Sequence, residues 1–221
     1  MTTQRDTDLD LLERWRAGDR TAGDALVKHY FGQIQKFFAR SVLDDNRQDL
    51  AQETFARLVK AKEGFRGASS VRTFLFGIAR HVLHDHFRKR DQSYDPITQT
   101  LEDMGAATPS RAVATLRQHE RLLASMQALP IDTKVMLEMY YWEGFTAEQM
   151  AEIYDIPAAT VRTRIHSART RLSKGMMSRA GTPAAPANVA EAETNASDAD
   201  DEIARELRAI GQLLAHGPTS V

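Results

Sequence analysis

Residues 145–174, FTAEQMAEIYDIPAATVRTRIHSARTRLSK, restrict the fold more than any other stretch. Their spacing predicts two short helices joined by a tight turn. Thr146 and Gln149 stand at capping-box spacing, where each side chain satisfies an orphan backbone N–H at the start of the first helix. Phe145 and Met150 flank the box at hydrophobic-staple positions. The turn is expected at Asp155-Ile156-Pro157, because Asp tolerates a left-handed backbone and Pro suits the first turn of the next helix.

In the second helix Val161, Ile165, Ala168 and Leu172 recur at helical spacing and form one buried stripe. The opposite face carries Thr163, His166, Ser167 and Thr170, flanked by Arg162, Arg164, Arg169 and Arg171. From Ala158 to Ala180 there are six Lys or Arg residues and no Asp or Glu. Small polar groups between arginines suit a DNA major groove, with cations on phosphates and the polar centre at base edges. The other reading is a solvated basic helix in an ordinary bundle. A capped helix–turn–helix favours DNA binding over it.

The 221 residues suffice for one large or two small domains, and 42% hydrophobic content supplies cores. Aromatic residues are only 7%, and Gly and Pro are sparse within the periodic segments, so the expected class is all-α. The net charge of −1 hides an asymmetry: basic residues concentrate in 65–90 and 158–180, acidic ones in 191–206. The absence of cysteine excludes disulfides and thiolate metal sites. The start, MTTQRDTDLDLLERW, is polar and unlike a signal peptide, and no apolar run approaches the roughly 20 residues of a membrane span. A soluble, cytoplasmic protein without membrane insertion is expected.

Upstream, residues 8–30 read as two helices broken near Gly18-Asp19, using Leu9, Leu12, Trp15, Leu26 and Tyr30, and 31–43 as a third with Ile34, Phe37, Phe38 and Val42 inside. The next, 46–62, buries Leu50, Thr54, Phe55, Leu58 and Val59 and leaves Asp49, Gln52, Glu53 and Arg57 outward. Gly64 and Gly67 bracket a loop, followed by a helix with Val71, Phe74, Leu75, Ile78, Val82 and Leu83 inside and a basic C-terminal end. Pro96, Gly105 and Pro109 mark a linker over 92–111. Leu116, Leu122, Leu123 and Met126 mark a further helix, and Ile131–Trp142 another that offers Val135, Leu137, Met139 and Tyr140 for packing.

Two stretches carry a family resemblance. DLAQETFARL (49–58) followed by FRGASSVRTFLFGIARHVLHDHFRKR (65–90) resembles the sigma-2 domain of extracytoplasmic-function (ECF) sigma factors of the sigma-70 family. LPIDTKVMLEMYYWEGFTAEQMAEIYDIPAATVRTRIHSARTRL (129–172) resembles their sigma-4 domain. The resemblance implies a sigma-2 helical bundle at 1–91, a linker at 92–111, a sigma-4 helix–turn–helix domain at 112–178 and a tail at 179–221. It also implies that core RNA polymerase and promoter DNA are the partners. Asp49, Gln52, Glu53 and Arg57 then face the polymerase. Arg66, Arg72, Phe74, Arg80, His81, His84, Arg88 and Lys89 serve the −10 element. Thr160, Arg162, Thr163, His166, Ser167, Arg169, Thr170 and Arg171 serve the −35 element. Phe74 stands where the family usually has Trp, His81 where it has Asn, and Ser167 where it more often has Arg.

Melting DNA requires a pocket for an unstacked base and cations along the strand. The loop 64–70 suits the first and Arg66, Arg72, Arg80, Arg88, Lys89 and Arg90 the second. Phe74 and Phe76 are open to two roles, base stacking or core packing. His81, His84, Asp85 and His86 lack the fourth ligand a structural zinc site wants, so no metal or cofactor is expected. No Walker-type, GxSxG or HExxH motif points to an enzyme. A second functional class stays open at this point: a helix–turn–helix regulator acting on duplex DNA without polymerase.

Beyond Arg179 the sequence becomes a low-complexity Ala/Pro/acidic segment that buries too little apolar area to order itself. A helix is expected at about 201–215, with Ile203, Leu207, Ile210 and Leu214 on one face. So short a helix needs a surface to dock on, and the expected site is sigma-2 or sigma-4 of the same chain; the other reading is a solvated tail with a nascent helix, and an anti-sigma factor is a further partner the resemblance allows.

Overall fold

Helix α1 (Thr2–Arg16) stops where the sequence expects a break. Gly18 takes a positive φ of 103°, and the Asp19 N–H returns to the Arg14 carbonyl. Asp19 then caps α2 (Arg20–Ser41), accepting the N–H groups of Thr21 and Ala22 at 2.9 and 3.2 Å. The Thr21 hydroxyl, the Arg14 guanidinium and the Ala22 N–H hold its carboxyl down at about 2. The chain is described here by a computed structural model that covers the backbone of residues 2–42, 46–91, 122, 125–126, 129–179 and 201–209, and the side chains of 7–42, 46–89, 122, 125–126, 129–174 and 201–209. The linker 92–111, the segment 180–200, Leu116, Leu123, Ile210, Leu214 and the side chain of Arg90 lie outside these residues. Among the described residues the regular structure is helical throughout, and no helix is long and apolar enough to cross a membrane.

The chain divides into two compact units, 1–93 with 146–161 and 94–145 with 162–221. In the first, the separate helix expected at 31–43 does not exist. One helix runs from Arg20 to Ser41 because Leu26, Tyr30, Ile34, Phe37 and Phe38 continue a single buried stripe. An interior glycine such as Gly32 costs only about 1 kcal/mol against that burial. Gly23 is buried where a Cβ atom would stand 2.5 Å from the Trp15 indole, so α1 and α2 approach closely only with glycine there. Asp8 is buried and accepts the Tyr30 hydroxyl. Burial, then this bond, raises that hydroxyl's pKa.

Helix α3 (Arg47–Ala61) buries Leu50, Ala51, Thr54, Phe55 and Leu58. Val59, expected inside, is 48% exposed. It lies about 40° past Phe55 around the helix, off the edge of the stripe, while Ala51 falls within it. A 3-10 turn (Lys62–Gly64) and a loop lead to α4 (Val71–Asp91), where Ser70 Oγ accepts the Thr73 N–H at 3.0 Å as a cap. Val71, Thr73, Leu75, Phe76, Ala79, Val82 and Leu83 are buried, whereas Phe74 and Ile78, expected inside, are half-buried. Neighbours pair as α1 with α2, α2 with α3, α3 with α4 and α1 with α4, which closes the bundle. The short helix α6 (Ala147–Tyr154) packs against α4 within the same unit.

In the second unit, α5 (Ile131–Tyr141) buries Val135, Met136, Leu137, Glu138 and Met139. Tyr140, expected to pack, is 37% exposed because five consecutive buried positions precede it and the stripe has turned away. Burial lowers the Lys134 pKa, partly offset by Glu138 one turn on. Leu122 and Met126 are buried as expected. Helix α7 (Ala158–Arg179) begins in the first unit with Val161 and continues in the second with Ile165, Ala168 and Leu172, all four buried. The tail helix, α8, is described over 201–209, within the expected 201–215, of which 210–215 lie outside the described residues. Its Ile203, Ala204 and Leu207 are buried, and the Trp142 indole N–H donates to the Leu207 carbonyl at 2.6 Å.

Candidate nucleic-acid and polymerase interfaces

The helix–turn–helix is built as its sequence dictates. The Gln149 N–H donates to Thr146 Oγ1 at 3.3 Å, and the Thr146 N–H donates to Gln149 Oε1 at 2.9 Å, so the capping box is closed. Phe145 and Met150 are both buried. Asp155 adopts φ 51° and ψ 48°, the left-handed conformation that ends α6. The Pro157 carbonyl then accepts the Thr160 and Val161 N–H groups, opening α7.

The stripe of α7 fixes what its other face presents. Arg162, Thr163, Arg164, His166, Ser167 and Arg171 are exposed, and Thr160, Arg169 and Thr170 half-buried. The Thr170 hydroxyl donates to the His166 carbonyl at 3.1 Å, turning back on its own helix. Arg169 donates to the Tyr141 hydroxyl at 3.4 Å, with its other terminal nitrogen 3.5 Å from His166 Nδ1. Thr163, Arg164, Ser167 and Arg171 line a groove of about 260 Å³ with Asp132, Thr133 and Met136 of α5.

Around α4 the cations are more entangled. Arg66 is exposed on the loop, where Glu63–Gly67 and Leu9, Glu13 and Arg16 of α1 line a concavity of about 670 Å³. The Arg72 guanidinium lies 4.9 Å from the Phe76 ring and Arg80 4.2 Å from the Tyr154 ring. Phe76 is fully buried, 5.7 Å from Phe37, which settles its two readings in favour of core packing. Phe74 keeps a half-exposed face and leans on Phe65, ring centroids 5.0 Å apart. His81, His84, Arg88 and Lys89 are exposed toward the C-terminal end of α4. Desolvation, then the charge of Arg80, lowers the His81 pKa.

On α3, Asp49, Gln52 and Glu53 are exposed. Arg57 is half-buried and donates both to Glu53 and to Asp85 of α4, each at 2.8 Å. Asp85 is also 3.0 Å from Arg88. Arg57, its partner Glu53 first and Asp85 next, therefore ties α3 to α4 as well as facing out. Among the described residues no three His, Asp or Glu side chains gather into a metal-sized group. Sequence reasoning missed the Arg57–Asp85 bridge, Ser70 and Gly23. Only Ser70, directly before an apolar helix, left a signal that the cap rule would have caught.

Two family descriptions match in order: Sigma-70 region 2 over residues 26–93 and Sigma-70 region 4 over 119–172. The RNA polymerase sigma-H factor of Pseudomonas aeruginosa is 32% identical over 187 residues, covering 80% of this chain and 96% of that protein. The ECF RNA polymerase sigma-E factor of Haemophilus influenzae is 31% identical over 174 residues, covering 74% and 92%. The chain belongs to the ECF sigma factors of the sigma-70 family. As a sigma factor it directs RNA polymerase to promoters, and the region 2 match sets aside a regulator acting without polymerase. Two solved structures share the fold. CnrH in complex with the cytosolic domain of CnrY gives a TM-score of 0.56 at 20% identity, covering 76% of this sigma factor and 96% of that chain. The sigma factor RpoE in complex with the anti-sigma factor NepR from Bartonella quintana gives 0.53 at 20%, covering 69% and 95%.

Proposed function

We propose that this sigma factor divides promoter recognition between two basic helices, α4 for the −10 element and α7 for the −35 element. The observation that carries the reading is α7: an apolar stripe buried throughout, and an outer face with arginines around Thr163, His166 and Ser167. Such a face reads bases by Arg162, Thr163, His166 and Ser167 and holds phosphates by Arg164 and Arg171. Arg169, Thr170 and Thr160, being half-buried, orient this row.

The concavity beside the 63–67 loop takes an unstacked −10 base, with the half-exposed Phe74 at the loop's far end for stacking. His84, Arg88 and Lys89 follow the single strand, and Arg66 guards the concavity. His81, whose pKa desolvation and then Arg80 lower, contributes a polar ring beside the strand. The exposed Asp49, Gln52 and Glu53 meet core polymerase, with Arg57 anchoring that face to α4. The working boundaries are 1–91 for sigma-2, 92–111 for the linker, 112–178 for sigma-4 and 179–221 for the tail. The protein acts in the cytoplasm beside polymerase and catalyses no reaction itself.

Competition for core polymerase tests the assignment of α3. Asp49→Lys with Gln52→Lys should weaken core binding at unchanged circular dichroism, since exposed charge changes move stability by less than about 0.5 kcal/mol. Undiminished competition by a folded double variant would refute it.

A further inference from the structure

Tyr141, at the end of α5, is held from two sides. Arg169 of α7 donates to its hydroxyl at 3.4 Å, and the Arg208 guanidinium of α8 lies 5.8 Å from its ring centroid. The neighbouring Trp142 indole donates to the Leu207 carbonyl at 2.6 Å. On the same helix Ile203, Ala204 and Leu207 are buried, Leu207 fully. All these residues belong to one compact unit. The described turns of α8 are marginal alone in water, and this surface supports them.

We propose that α8 is a cis-acting ligand of the sigma-4 unit, which fixes Tyr141 and through it keeps Arg169 turned away from DNA phosphates. The idea rests on the reading of α7 as the DNA-binding helix. The chemistry is direct: a half-buried guanidinium that gives one terminal nitrogen to a tyrosine hydroxyl is held toward the protein and offers a phosphate fewer N–H groups. When α8 undocks, the Tyr141 ring loses its Arg208 cap and its cover, and Arg169, already beside His166, loses the hydroxyl that holds it and turns outward. Undocking adds one phosphate contact. Docking is intramolecular, so α8 competes at a high effective concentration without needing high intrinsic affinity. Arg169 is then a positioning-controlled contact, unlike the exposed Arg171.

The test uses the full chain and a fluorescein-labelled random-sequence duplex, with affinity measured across salt concentrations. Leu207→Asp removes the buried contact, and Trp142→Phe removes the indole N–H together with its five-membered ring while keeping an aromatic ring. Both should steepen the log–log salt slope by about 0.9, the increment for one phosphate. Arg169→Ala placed on either should remove that gain. Arg171→Ala should flatten the slope by about 0.9 in every background. Equal slopes for wild type, Leu207→Asp and Trp142→Phe, with Arg171→Ala still effective, overturn the proposal and leave the reading of α7 standing. A flat response to Arg171→Ala as well overturns both. If Leu207→Asp fails to fold, Trp142→Phe decides the matter alone.

Discussion

Helices α4 and α7 are both basic, both apolar on one side, and assigned to the two promoter elements, yet they hold their cations differently. On α4, Arg72 lies over Phe76, Arg80 over Tyr154, and Arg88 beside Asp85. On α7, Arg169 is bonded to an aromatic side chain, Tyr141, while Arg162, Arg164 and Arg171 stand exposed on a helix with no acidic residue. The difference fits the two tasks. A duplex reader needs cations projecting at fixed intervals toward phosphates. A helix proposed to take up an unstacked strand needs a rigid platform, and the Arg57–Asp85 bond ties α4 to α3.

The comparison breaks most visibly in the two phenylalanines of α4. Phe76→Ala should destabilise the protein by about 3–5 kcal/mol through the cavity it leaves, measured by denaturant unfolding. Phe74→Ala should cost much less stability and instead reduce promoter opening. Equal stability losses would mean that α4 is only a core helix. A second test of the platform is Gly23→Ala. Better helix propensity favours it by up to about 1 kcal/mol, but the new methyl meets the Trp15 indole, and overpacking of about 1–3 kcal/mol should win.

On the α7 side, Arg162→Ala should lose about 1–3 kcal/mol of discrimination at one −35 position, read from transcription on a library of −35 variants. The smallest effect concerns pH. Asp19 has a carboxyl held down at about 2, so its capping contribution is complete above the ordinary carboxylate range and lost only as pH falls through about 2. An NMR titration of Asp19 with a midpoint near that of a free aspartate would contradict this.

Much of this was legible in the sequence where one rule governs one position. The capping box, the left-handed Asp155 and the α7 stripe each follow from local chemistry, and each appears in the fold. What was illegible depends on partners distant in sequence. Val59 and Ile78 satisfy an apolar spacing rule, but only the packing of neighbouring helices decides how far a stripe extends. Tyr30 reads as an ordinary core residue, and nothing nearby announces that Asp8 is buried with it. Arg57 reads as an outward charge, and its bond to Asp85 spans 28 residues. The helix expected at 31–43 failed because a chemically plausible break was read where a continuous stripe runs.

Footprinting of the reconstituted holoenzyme on one promoter tests the division of labour most directly, with permanganate reporting unpaired thymines and nuclease protection reporting duplex contact. Phe74→Ala should keep −35 protection and lose thymine reactivity at −10, while Arg162→Ala with His166→Ala should lose −35 protection first. Loss of both signals together in each variant, or no loss in either, would contradict the assignment of opening to α4 and duplex reading to α7.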